Sequence, residues 1–305
     1  MPERRSAPAP ASSVLLLVVG VAGVSLSGPL MAAATAVPAL AMSLWRSGLG
    51  ATSVAAFAAP RLRSDLTAVP RRALARSCFA GLLLAVHFAT WTLSLKYTSV
   101  ASATALVCLQ AAWVVVLARM SGDQVVPRVW LGIAVALLGV LVISGVDLTI
   151  SARTLIGDVL ALVGGVFAAG YTVVGGRVRS ELATTTYTFL CYSTSAVLLL
   201  FACAVGRVQV WGFDATSWLL IIAVTVAAQL LGHTVFNHLL ATMSPTLVSM
   251  TLLLEVPGAA LLAAVFLGQA PPIAVYAGLA LICAGLAIVV TSRSAATVPV
   301  EAPVD

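Results

Sequence analysis

The sequence predicts an all-α integral membrane protein of ten transmembrane helices in two inverted five-helix repeats. Three observations carry that expectation. The chain is 61% hydrophobic and 9% charged, whereas a soluble domain is roughly a quarter charged. Its apolar runs are about 20 residues long, the length that crosses a bilayer as a helix. Its two halves share residue types and glycine spacings at a constant offset of 145 positions.

The spans run roughly over 14–34, 38–58, 77–95, 99–118, 129–145, 156–176, 186–206, 216–237, 245–266 and 273–291. The basic start "MPERRSAPAPASS" has the look of a signal peptide. The apolar run from Val14 continues toward Ala34 and many spans follow, so it reads as a retained first helix. The longest polar segment, "PRLRSDLTAVPRRALAR", falls between the second and third spans. The tails, 1–12 and 293–305, are rich in Ala, Pro, Ser and Val and read as disordered cytoplasmic ends. Between them lie a first repeat over 13–146 and a second over 152–292.

Lysine and arginine set orientation. With a cytoplasmic N-terminus, twelve basic residues fall inside: Arg4, Arg5, Arg61, Arg63, Arg71, Arg72, Arg76, Arg119, Arg128, Arg177, Arg179 and Arg293. Three, Lys96, Arg153 and Arg207, fall outside. The bias predicts a multi-pass protein of the cytoplasmic membrane with both termini inside. The net charge of +6 therefore belongs to loops and is no nucleic-acid signal. Five cysteines, with no close CxxC pair, read as small packing residues.

The offset sets "TSVASATALVCLQAAWVVVLARMSGDQ" against "MSPTLVSMTLLLEVPGAALLAAVFLGQ", so Ser99 matches Ser244 and Gln110 matches Glu255. The following helices carry glycines seven apart, Gly132 and Gly139, then Gly278 and Gly285. Such glycines form a groove that lets helices approach closely. Five helices per half is an odd number, so the second half is inverted, as in transporters whose site lies between the repeats.

With these residues in hand, the sequence resembles the drug/metabolite transporter superfamily in its ten-helix EamA-type branch. The resemblance rests on "PALAMSLWRSG", "LKYTSVASATALVCLQAAWVVVLA", "LLLEVPGAALLAAVFLGQ" and "YAGLALICAGLAIVV", and covers about residues 13–292. It implies a carrier of small metabolites, amino acids, nucleotide sugars or drugs, with export as the expected direction. The chain departs from the family pattern at "SGDQ" (121–124), at "LGQA" (267–270) and at Val256, which separates Glu255 from Pro257.

The candidate pathway residues are the polar and aromatic ones inside apolar spans. Glu255 interrupts "TLLLEVPGAALLA" near the centre of the ninth span. A charge at that depth costs roughly 3 kcal/mol on lenient insertion scales. It reads either as a proton- or substrate-binding carboxylate or as an internal packing partner. Pro257 lacks the N–H that would bond the Leu253 carbonyl, so a helix break is expected there. Arg46, in the second span, is a candidate partner of Glu255, a candidate ligand for an anionic solute group, or an anchor that snorkels to the membrane edge. His87 maps under the offset beside His233, and two such groups near a carboxylate can relay protons; the alternative is a hydrogen-bonded interior pair. Gln229, His233 and Asn237 form a polar stripe at i, i+4 and i+8, either aimed at a pathway or gluing helices together. Trp91 stands one turn from His87 as a candidate aromatic wall, with Tyr171 a further candidate.

HExxH, GxSxG and P-loop signatures are absent from the sequence. The expectation is no enzyme, no cofactor and no metal site. It is a secondary transporter working by alternating access, with proton coupling through Glu255 as a hypothesis and an uncoupled facilitator or channel as the rival. The expected partners are a small-molecule solute and the lipid bilayer, with a homodimer as a candidate assembly and no nucleic acid.

Overall fold

The computed structural model describes residues 10–122, 124–144, 151–267 and 273–295. Most of each tail expected to be disordered, 1–9 and 296–305, lies outside the described residues.

The described chain is helical and forms ten rods. The first is α1 (Pro10–Ser25) with α2 (Ser27–Ala33), the second α3 (Ala39–Thr67) and the third α4 (Arg71–Ser94). The fourth is α5 (Val100–Val107) with α6 (Gln110–Met120), the fifth α7 (Pro127–Ser144). The sixth is α8 (Ala152–Arg179) and the seventh α9 (Thr184–Val205). The eighth joins α10 (Ala215–Val224) to α11 (Val235–Leu239) through a π-helical stretch, Thr225–Thr234. The ninth is α12 (Pro245–Leu252) with α13 (Glu255–Leu267), and the tenth is α14 (Ile273–Ala295). Six of the ten rods are long and apolar enough on their own to cross a membrane, and the fifth, ninth and tenth hold shorter apolar helices.

The repeat is visible in local detail. Ser99 Oγ accepts from the Ser102 N–H at 3.1 Å and Ser244 Oγ from the Leu247 N–H at 3.3 Å, so two N-caps stand 145 positions apart. The fourth rod breaks between Val107 and Gln110, and the ninth breaks between Leu252 and Glu255, again at that offset. At each break the backbone tightens to i→i+3 bonds: Leu109 N–H to Leu106 O, and Leu254 N–H to Thr251 O. Pro257 contributes to the second break by leaving the Leu253 carbonyl without its i+4 donor. It is not required, because Ala112 occupies the equivalent place in the fourth rod.

Packing follows the same symmetry. The fifth rod packs on the tenth and the second on the seventh, each pair mapping onto itself when the halves are exchanged. The third packs on the sixth and the eighth on the first, pairs that map onto each other. Backbones meet closely where glycines coincide: a Cβ on Gly132 would lie 2.7 Å from the Gly285 carbonyl oxygen. The outward faces are apolar, with Leu138, Leu141, Val197 and Phe201 exposed where lipid would lie.

One expectation is corrected. The polar stretch between the second and third spans is mostly helix, not loop. The second rod runs on to Thr67, through Pro60, and the third begins at Arg71. Arginines there make poor membrane residues but good helix formers, so hydropathy ends before the helix does.

Candidate functional site

Six rods line a central, partly open cavity. They are the first, third and fourth of one half and the sixth, eighth and ninth of the other. The second, fifth, seventh and tenth stand outside.

The two helix breaks each supply one polar group to the cavity. Gln110 opens α6 and Glu255 opens α13; both are buried and both line the cavity. Glu255 thus starts a helix and does not sit in the middle of one, as the sequence led us to expect. An acid in the first turn is favoured by the unpaired N–H groups of the helix start. Gln110 is its neutral counterpart in the other half.

Six of the sequence-designated residues meet at this cavity: Glu255, His87, Trp91, Tyr171, His233 and Asn237. His87 Nδ1 lies 2.9 Å from the Gly164 carbonyl oxygen. A carbonyl only accepts, so Nδ1 carries the proton and Nε2 is left as the acceptor. The His87 ring stacks near that of Trp91 at 6.1 Å and lies 6.3 Å from that of His233. The two histidines, one position short of equivalence under the repeat offset, are therefore neighbours, though not hydrogen-bonded to each other. Pro257 lies within the first turn of α13, behind Glu255.

The expected stripe on the eighth rod divides. A π-helix bonds each carbonyl to the N–H five residues on instead of four, and it still places i and i+4 side chains on a shared face. The Gln229 carbonyl accepts from Tyr192 Oη at 3.2 Å and Thr234 Oγ1 at 3.0 Å. His233 and Asn237 reach the cavity; the Gln229 side chain does not.

Gln229 turns instead to Arg46. Arg46 Nε donates to Gln229 Oε1 at 3.0 Å, and no ion pair joins Arg46 to Glu255. The guanidinium is fully buried, with its carbon 3.9 Å from the centre of the Phe88 ring. Phe88 in turn presents an edge-to-face contact to His233, a cavity wall, at 5.1 Å. Arg46 and Gln229 are therefore set one ring behind the cavity. Burial of the guanidinium also rules out its snorkelling to the membrane edge.

Asn237 connects the cavity to one end of the bundle. Tyr171 Oη donates to its Oδ1, and its Nδ2 donates to Thr188 Oγ1 at 3.5 Å. Arg179 Nε donates to the Asn237 carbonyl at 2.8 Å and Nη2 to Thr184 Oγ1 at 2.8 Å. Thr184 is 3.1 Å from His238 Nδ1, beside a surface groove that also holds Arg61 and Asp65. Sequence reasoning missed Arg179, Thr184 and Phe88. Arg179 was counted only as a loop charge, and nothing in an apolar run distinguishes Phe88. Replacing Tyr171 with Phe removes the donor to a buried carbonyl oxygen, which costs about 1–3 kcal/mol. The expected outcome is a lower melting temperature of the purified protein.

The fold and cavity define a class: a multi-pass helical membrane protein of two inverted repeats around a central, mostly apolar cavity that carries a few polar side chains. The comparisons agree. The model of the EamA-like transporter family matches residues 11–145 and again 155–291. The chain belongs to the EamA-like transporter family and is a membrane transporter of small solutes. No curated protein matches it. A solved structure titled "Crystal structure of protein" shares the fold at a TM-score of 0.76 and 19% identity, over 95% of this chain and all of the other.

Proposed function

We propose a secondary transporter that moves a small amphipathic solute by alternating access, in the outward direction, with Glu255 carrying a coupling proton. The observation that supports this most is the cavity, lined by three rods from each half, with Gln110 and Glu255 at matching helix breaks. Two halves that share one cavity can rock about it and expose it to either side in turn. A buried carboxylate that is not locked in an ion pair can hold a proton in one state and release it in the other.

The first test compares small molecules in the medium of cells making the wild type, Glu255→Gln, or neither, at equal membrane levels. A compound enriched outside only with the wild type supports export through Glu255. Equal enrichment with both proteins removes Glu255 from the mechanism. No difference between the wild type and empty cells counts against export.

Orientation follows the basic residues: both termini in the cytoplasm of a cell whose cytoplasmic membrane holds the protein. Single cysteines at Ser121 and Gln209, both exposed, test it. In intact cells an impermeant maleimide is expected to label position 209 and spare position 121, and the reverse pattern sinks the orientation.

A further inference from the structure

Three buried side-chain nitrogens near the cavity have no hydrogen-bond partner among the described residues: Arg46 Nη2, Gln229 Nε2 and Trp91 Nε1. All three are donors. Arg46 and Gln229 are fully buried and Trp91 is 4% exposed, so water does not satisfy them from the surface. The Gln229 amide cannot be turned to help, because its oxygen already accepts from Arg46 Nε at 3.0 Å. Arg46 Nη1 has only the Met31 sulfur, at 4.0 Å. A permanent cation with a neutral amide, a thioether and an aromatic face as its neighbours has no counter-charge in contact.

Arg46 and Gln229 are in contact, and Met31, which Arg46 touches, belongs to the same buried cluster as Trp91. A group that completes such donors must be rich in acceptors and poor in protons. That describes an anion, and a planar guanidinium edge beside an amide N–H₂ suits a carboxylate in particular. Between the Arg46–Gln229 pair and the cavity stands Phe88, whose ring covers one face of the guanidinium and makes an edge-to-face contact with His233. Trp91 already lines the cavity, next to the rings of His87 and Tyr171 that would hold an apolar body.

We propose that Arg46, Gln229 and Trp91 form the binding site for the anionic end of the transported solute, reached when Phe88 swings aside, so that the substrate class is an organic anion with an apolar or aromatic body. This rests on the transport reading of the cavity.

The test uses wild-type protein in lipid nanodiscs and three probes: 3-phenylpropanoate, 3-phenylpropylamine and inorganic phosphate. The expected result is a concentration-dependent rise in melting temperature with the carboxylate alone. Arg46→Gln is expected to weaken that binding on the order of tenfold or more, the scale of a lost charged hydrogen bond. Gln229→Glu serves as the second variant, since it hands Arg46 an internal carboxylate of the same shape. It is expected to raise the melting temperature without any probe and to abolish the response to 3-phenylpropanoate. A merely structural arginine would give the stabilisation but leave the response intact, and that result overturns the proposal. So does an equal response to the amine or to inorganic phosphate, or no response to the carboxylate. Flux in proteoliposomes separates the two readings. Carriage of the amine but not the carboxylate defeats the anion class and leaves transport standing. Binding of the carboxylate through Arg46 without flux defeats transport and leaves the anion site standing.

Discussion

Glu255→Gln is expected to carry solute at a rate and to an end point that ignore the pH gradient. For one proton moved per solute, a gradient of one pH unit drives accumulation up to about tenfold. In the variant that ratio falls to one, measured with labelled solute in proteoliposomes. The reasoning is local. Glu255 is the acid in the first turn of α13 and lines the cavity, and its repeat partner Gln110 shows that an amide fits at an equivalent helix start. The substitution therefore removes the exchangeable proton while keeping shape and hydrogen-bonding capacity. The direction of the wild-type gradient carries further information. A charged Glu255 repels an anion, so an anionic solute that binds best with Glu255 protonated travels with the proton and accumulates on the alkaline side. Where the cytoplasm is that side the movement is uptake, and this outcome overturns the outward direction proposed above. A cation binds best to the ionised form, exchanges for the proton and accumulates on the acid side. Retention of pH-driven accumulation in the variant would move coupling to the neighbouring His87 and His233. A wild type indifferent to the gradient would make the protein a facilitator.

The expected ten spans, the inverted repeat and the pairing of Gln110 with Glu255 were legible because each depends on sequence spacing. An apolar run of about 20 residues announces a span, and glycines seven apart announce a close helix contact whatever surrounds them. The break in the fourth rod was not legible. The ninth has Pro257 to signal one, whereas Leu109 and Ala112 are ordinary helix residues. The π-helix of the eighth rod was hidden for the same reason: its residues would equally suit an α-helix, and only the packing selects the wider winding. Burial faces were also obscured. In a span apolar all round, periodicity does not separate lipid from core, so Phe88 looked like any other apolar residue. Arg46 illustrates the remaining gap. Its burial in protein could be argued from the cost of a charge in lipid, but the choice of Gln229 over Glu255 depends on how the second and eighth rods cross.

Gly132→Ala and Gly139→Ala together are expected to destabilise the protein by several kcal/mol, although each is normally a favourable change in a helix. In a helix interior Ala is better than Gly by about 1 kcal/mol. Gly48, on the second rod, shows the ordinary case: a Cβ there would meet only the Ala196 Cβ, at 4.0 Å. Gly48→Ala should therefore leave the melting temperature unchanged or raise it. At Gly132 the added carbon meets the Gly285 carbonyl oxygen and Val289 Cγ2, both at 2.7 Å. At Gly139 it meets the Gly278 carbonyl oxygen at 2.5 Å and Leu281 Cβ at 2.9 Å. Backbone oxygens cannot rotate away as a side-chain tip can, so the fifth and tenth rods must separate along two turns. Overpacking of this kind costs about 1–3 kcal/mol per site, which exceeds the helix-propensity gain. The melting temperature and the yield of folded protein in the membrane both report it. Unchanged stability of the double variant would mean that the two rods do not meet through these glycines. The effect should also be nearly independent of solute, because neither rod lines the cavity. A double variant with normal solute binding but low stability is the expected result, and it would locate these glycines in the frame that joins the two halves, apart from the chemistry they enclose.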